Sequence, residues 1–193
     1  MSLPECFHCK YGGDGHPCRL SSGTLDFATL GATIVAHGRT FADDFTGDAE
    51  ATRADLEWAI DCKFEITEDY PHLLLPLTVA AIDACEHQKD LAFVAAGLLE
   101  NSVVKHGPVL IGKIESVASA SAKFRFVLSA IWGERNADPE VWKRVCKAVG
   151  HSGLMDTEGR GPSDGQPVSV LSDAEILALI KRESVAEAAA SLF

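Results

Sequence analysis

The sequence predicts an all-α protein: stacked antiparallel helical hairpins forming an irregular bundle or short solenoid, with a small zinc-knuckle-like segment at the N-terminus. Three observations carry this. From about residue 25 apolar residues recur at spacings of three and four, the period of one helix face. Serine or aspartate caps and glycine or proline stops punctuate those runs. No Val/Ile/Thr-rich stretch alternates with period two, so a sheet is not expected.

Taken in order, Leu25, Leu30, Ile34 and Val35 begin a first helix, which His37-Gly38 is expected to end with glycine in the left-handed position. Leu56, Trp58, Ile60 and Cys62 belong to an acidic helix through about residue 64. Asp69-Tyr70-Pro71 reads as a helix start with proline in the first turn, leading into Leu74, Leu77, Val79, Ile82 and Cys85, where Pro76 is expected to bend the helix or delay its start. Leu91, Val94, Ala95, Leu98, Leu99 and Val103 form the clearest amphipathic face, stopped by Lys105-His106-Gly107-Pro108. Val109, Ile111, Ile114 and Val117 give the next helix, and Phe124, Val127, Leu128, Ile131 and Trp132 another, ending at Gly133.

Asp138-Pro139-Glu140 is a cap with a first-position proline, opening a helix that turns Val141, Trp142, Val145 and Val149 inward. Between Gly150 and Gln166 five glycines and Pro162 mark a linker. Ser172-Asp173-Ala174-Glu175 is a capping box, with Leu171 and Ile176 as its hydrophobic staple. The last helix carries Ile176, Leu177, Leu179, Ile180 and Val185, and its apolar face must dock on the body or on a partner. The implied organisation is a zinc-binding knuckle (1–24), a helical domain (25–150), a Gly-rich linker (151–171) and a C-terminal helix (172–193).

The N-terminal segment Cys6-Phe-His-Cys9-Lys-Tyr-Gly-Gly-Asp-Gly-His16-Pro-Cys18 puts three thiols and an imidazole within thirteen residues. A two-residue gap lets Cys6 and Cys9 reach one ion from a single turn, and the glycine run returns His16 and Cys18 to it. The expectation is a structural zinc ion held by Cys6, Cys9, His16 and Cys18, with His8 as the alternative nitrogen ligand. Cys62, Cys85 and Cys146 lie in helical patterns and are expected to be buried as small hydrophobes.

Charge separates the chain further. Its 193 residues carry a net charge of −11, yet residues 43–70 hold ten acids against Arg53 and Lys63 and account for −8 of it. One reading is a solvated helix face with acids near its amino end. The other is a docking patch for a protein partner with a basic surface, centred on Asp43, Asp44, Asp48, Glu50, Asp55, Glu57 and Asp61. Overall acidity opposes nucleic-acid binding, because the six bases of residues 123–147 exceed the acids there by only three. Apolar runs are too short for a membrane span, and MSLPECFHCK does not look like a signal peptide, so a cytoplasmic protein is expected.

Several blocks taken together resemble a known family. They are Leu91-Ala-Phe-Val-Ala-Ala-Gly97-Leu98-Leu99-Glu100, Lys105-His106-Gly107, Ile111-Gly-Lys-Ile114-Glu115, Lys123-Phe124-Arg125-Phe126-Val127-Leu128 with Ile131-Trp132-Gly133, and Pro139-Glu140-Val141-Trp142. Over about residues 55–150 the chain is similar to a bacterial family of small helical proteins of unknown function. The resemblance implies a mostly helical cytosolic protein from a bacterium or mobile element, and no particular reaction. Leu98 departs from the proline that the family tends to carry after the small-residue–glycine pair. Glu100, Glu115, Arg125 and His106 are polar residues beside apolar faces, expected to form a buried ionic network, with a catalytic or ligand role as the alternative.

No HExxH, GxSxG, GxxxxGK or GxGxxG motif is present. The expected function is a non-enzymatic protein-binding module, an inhibitor, immunity or anti-defence (anti-CRISPR-like) factor. The alternatives are a zinc-containing regulatory protein associated with nucleic acid, and an enzyme with an unrecognised site.

Overall fold

The computed structural model describes residues 18–19, 24–42, 44–150, 171–182 and 184–192. Cys6, Cys9 and His16, with the alternative His8, lie outside them, as do Asp43 and the body of the Gly-rich linker. Among the described residues the structure is helical, with one isolated antiparallel bridge between Arg19 and Leu25. The helices are α1 Phe27–Arg39, α2 Ala49–Asp69, α3 Pro71–Asp83, α4 Gln88–Val94, a π-helical turn Ala95–Leu99, α5 Glu100–Val104, α6 Gly107–Ala120, α7 Ala122–Leu128, α8 Pro139–Val149, α9 Asp173–Arg182 and α10 Val185–Ala188, closed by a 3₁₀ turn Ala190–Leu192.

The apolar helix α3 is the hub. Leu74, Leu75, Leu77, Ala81 and Ile82 are fully buried on several of its sides, and α1, α2, α4, α5, α6, α7 and α10 all pack on it. A solenoid repeat touches only its neighbours, so this is an irregular bundle around a central helix. The closest crossing is α1 on α3. At Gly31 a Cβ would lie 2.7 Å from the Ala81 backbone nitrogen, which only glycine avoids.

Local signals explain most boundaries. Asp26 caps α1 by accepting from the Thr29 amide at 3.0 Å, Asp138 caps α8 through the Glu140 and Val141 amides, and Ser172 with Glu175 forms the reciprocal box ahead of α9. Four expectations are corrected. Gly38 does not end α1: the helix runs to Arg39 with right-handed Thr40 as its cap, and Gly38 is kept small by the Phe93 ring, 2.7 Å from where a Cβ would stand. The acidic helix continues to Asp69, since Pro71 disfavours helical geometry only at Tyr70. Pro76 does not delay the start of α3, which begins at Pro71 and runs through Pro76 to Asp83. Helix α7 stops at Leu128, which leaves Trp132 52% exposed while Phe124 is buried.

Cys62 and Cys85 are buried as expected, and burial pushes the Cys85 thiol up to about 12. Cys146 is exposed, on the outer side of α8.

Candidate acidic interface on helix α2

Helix α2 is fixed at both ends. At its start Asp48 accepts from the Glu50 and Ala51 amides at 3.1 and 3.0 Å, and the Thr52 hydroxyl donates to the Asp48 carbonyl. Ala59, Ile60, Cys62, Ile66 and Thr67 form its buried side, against α1 and α3. At its end His106 Nε2 lies 2.6 Å from the Thr67 carbonyl oxygen, and Lys105 pairs with Glu68. The opposite side is therefore held toward solvent.

The residues singled out by sequence have distinct placements there. Asp44 lies before the helix and pairs with Lys89 at 3.3 Å. A backbone hydrogen bond and the Lys89 ammonium hold its carboxyl below the ordinary value. Asp48 is spent on capping, and Glu50 stands in the first turn, where the positive helix end favours it. Glu57, with a side chain 60% exposed, lies 3.5 Å from His37 Nε2. Asp61 is on the same side of the helix as Glu57, while Asp55 is about a third of a turn away.

The structure adds residues beyond that set. With α2 running to Asp69, Glu57, Asp61, Glu65 and Asp69 follow one another at intervals of four, a carboxylate ridge rising about 6 Å per step. Glu68 flanks it. Phe64 lies beside the ridge and is 57% exposed, with Lys63 Nζ 4.8 Å from its ring centroid. Burial lowers the pKa of Lys63. Phe41 is 61% exposed and carries the Arg53 guanidinium 4.7 Å above its ring. The missed part was readable: the proline at 71 already placed the stop at Tyr70.

The expected network of Glu100, Glu115, Arg125 and His106 does not form. Glu100 accepts from the Trp132 amide at 2.9 Å. Glu115 binds Arg144, whose Nε donates at 2.9 Å. Arg125 donates to the Ala118 carbonyl, and His106 meets Thr67. These are four separate anchors, each tying one element or loop to another, and they share no common site.

Of the expected metal ligands only Cys18 is described. It is 1% exposed, and its carbonyl accepts from the Asp26 amide at 2.9 Å, which ties it to the start of α1. Among the described residues no group of three or more His, Cys, Asp or Glu side chains is placed to hold a metal, and no helix is long and apolar enough to cross a membrane.

No curated protein and no solved structure matches the chain. A family model described as a family of unknown function (DUF6869) matches residues 46–152, from just before α2 to just after α8. That is more than half of the chain, and it contains the acidic helix, the hub and every helix packed between them and α8; the protein belongs to this family.

Proposed function

We propose that the protein is a non-enzymatic binding module that captures a protein partner with a basic surface on the outer face of α2, and in doing so acts as an inhibitor, immunity or anti-defence factor. The ridge Glu57–Asp61–Glu65–Asp69 carries this reading. Like charges at i and i+4 each cost an isolated helix about 0.2–0.5 kcal/mol, and the ridge stacks three such pairs in succession. Its acids also crowd toward the negative end of α2, where no base occupies the last turn. The amino end of α3, beginning at Pro71, offsets this only for the nearest, Asp69. Solvation near a helix amino end therefore accounts for Asp48 and Glu50, and leaves Asp61 and Glu65 unexplained by folding. A cationic partner would relieve their mutual repulsion and gain long-range steering, while Phe64 and Phe41 supply apolar area.

The test is capture from extract of the native host on the immobilised chain, compared at low and high salt. Asp61→Lys with Glu65→Lys is expected to abolish the salt-sensitive fraction while circular dichroism stays helical. Equal capture by both proteins would overturn the reading.

The N-terminal knuckle belongs to the same proposal, with Cys6, Cys9, His16 and Cys18 holding a structural zinc ion next to the start of α1. Four protein ligands leave no open position for a substrate. Elemental analysis is expected to give one zinc per chain, lost in Cys6→Ser with Cys9→Ser.

A further inference from the structure

The C-terminal segment is tied to the body by side-chain hydrogen bonds at a single carboxylate. Its helices are terminated by their own residues: Ser172 and Glu175 cap α9, and the Ser184 hydroxyl accepts from the Glu187 amide to cap α10. It buries Ile176, Leu179, Val185 and Ala189, with α9 lying on α4 and α7 and α10 on α3 and α6. Among the described residues, its side-chain-mediated hydrogen bonds to the body converge on one carboxylate, at the end of α3. Asp83 accepts from the Ser184 hydroxyl at 2.7 Å, the Val185 amide at 2.7 Å and the Ala186 amide at 2.8 Å.

The same Asp83 pairs with Lys123 at 3.4 Å, whose side chain is 2% exposed. Asp83 thus serves as a second cap for α10, supplied by the body, and Lys123 holds that carboxylate in place. Residues 150–172 separate α8 from α9 in the sequence. The family match covers residues 46–152, and so α2 to α8, and stops before this segment.

We propose that the segment from Asp173 to Leu192 is a clasp that opens as a unit from Asp83 while α1 to α8 stay folded. Opening exposes the apolar side of α9 and α10 and the surface of α3 and α6 beneath Val185 and Ala189. A terminal element whose side-chain-mediated hydrogen bonds to the body meet at one carboxylate can open there at a lower free energy than the body unfolds.

Amide hydrogen exchange on the full chain tests this. Wild-type amides of α9 and α10 are expected to exchange faster than those of α3 and with a weaker dependence on denaturant. Asp83→Asn, which removes the charge behind three hydrogen bonds, is expected to accelerate clasp amides a further tenfold or more and leave α3 unchanged. Ser184→Ala removes one of those bonds and the α10 cap, and is expected to give a smaller acceleration at the same amides; it keeps the test available if Asp83→Asn folds poorly. Clasp amides that exchange in step with α3 at every denaturant concentration, or substitutions that accelerate α3 equally, would overturn the clasp.

Discussion

Asp90 and Asp61 are both acids on helices of one small acidic protein, and they are put to opposite uses. Asp90 is 5% exposed. It receives the Arg39 guanidinium in two hydrogen bonds, at 3.0 and 2.7 Å, together with the Glu86 and His87 amides. Oδ1 accepts from one donor and Oδ2 from three, and the carboxylate locks the end of α1 to the start of α4. Asp61 and Glu65 stand half-buried on the outer side of α2 beside other acids, still in reach of water and with no ion pair among the described residues. A buried charge survives only when its partners replace water, whereas a solvated one needs none. Charge density along the sequence therefore reports where acids are, and only packing separates those committed to the fold from those left for a partner.

The widest separation between the two is expected in stability. Asp90→Ala leaves Arg39 facing Glu86 alone and two amides unpaired, and should cost about 3–5 kcal/mol in denaturant unfolding; a loss below 1 kcal/mol would place Asp90 with the solvated acids. The same carboxylate gives a pH signature. Burial alone would raise its pKa, but the Arg39 hydrogen bonds and the two amides outweigh that and hold it below the ordinary 3.8. A folded-state pKa lower than the unfolded one means that the stabilisation is complete above about pH 4 and is lost as pH falls through the lowered value. Unfolding midpoints measured from pH 6 downward should show that loss in wild type, and its absence in Asp90→Ala.

Asp48 lies between the extremes, exposed yet bonded to two amides at the start of α2. Asp48→Ala should cost about 1 kcal/mol, readable in the same unfolding curves. Smallest is the effect of neutralising the ridge: Asp61→Asn with Glu65→Gln should leave stability unchanged or raise it by about 0.2–0.5 kcal/mol for each like-charged pair relieved. A clear destabilisation would show that these acids serve the fold after all.

Local chemistry made much of this architecture readable before any coordinates. The box at Ser172–Glu175, the Asp138-Pro139 start and the Tyr70-Pro71 start each depend on residues within one turn, and each is found where the sequence places it. Gly38 misled because its reason is distant: the Phe93 ring across the α1–α4 contact needs the space, and no left-handed turn is involved. Trp132 failed similarly, since an apolar residue at helical spacing says nothing about whether the helix has already ended. The acidic segment was legible as a segment, and its ridge was hidden only because mixed apolar spacing suggests a helix end near residue 64, although Pro71 already sets the stop at Tyr70. Asp83, the anchor of the clasp, is a single acid among apolar neighbours and gave no signal, because its three donors lie about a hundred residues further along the chain.

The π-turn at Ala95–Leu99 has a further consequence, for rotation. Buried residues through this stretch come in pairs four positions apart: Asp90 and Leu91, Val94 and Ala95, Leu98 and Leu99, Ser102 and Val103. On an unbroken α-helix each step of four overshoots the turn by about 40°, so the last pair would face about 120° away from the first. The one extra residue that a π-turn loops out takes back about 100° of that. A strict four-residue repeat is thereby kept in phase along one buried line, and α5 arrives with Glu100 aimed at the Trp132 amide.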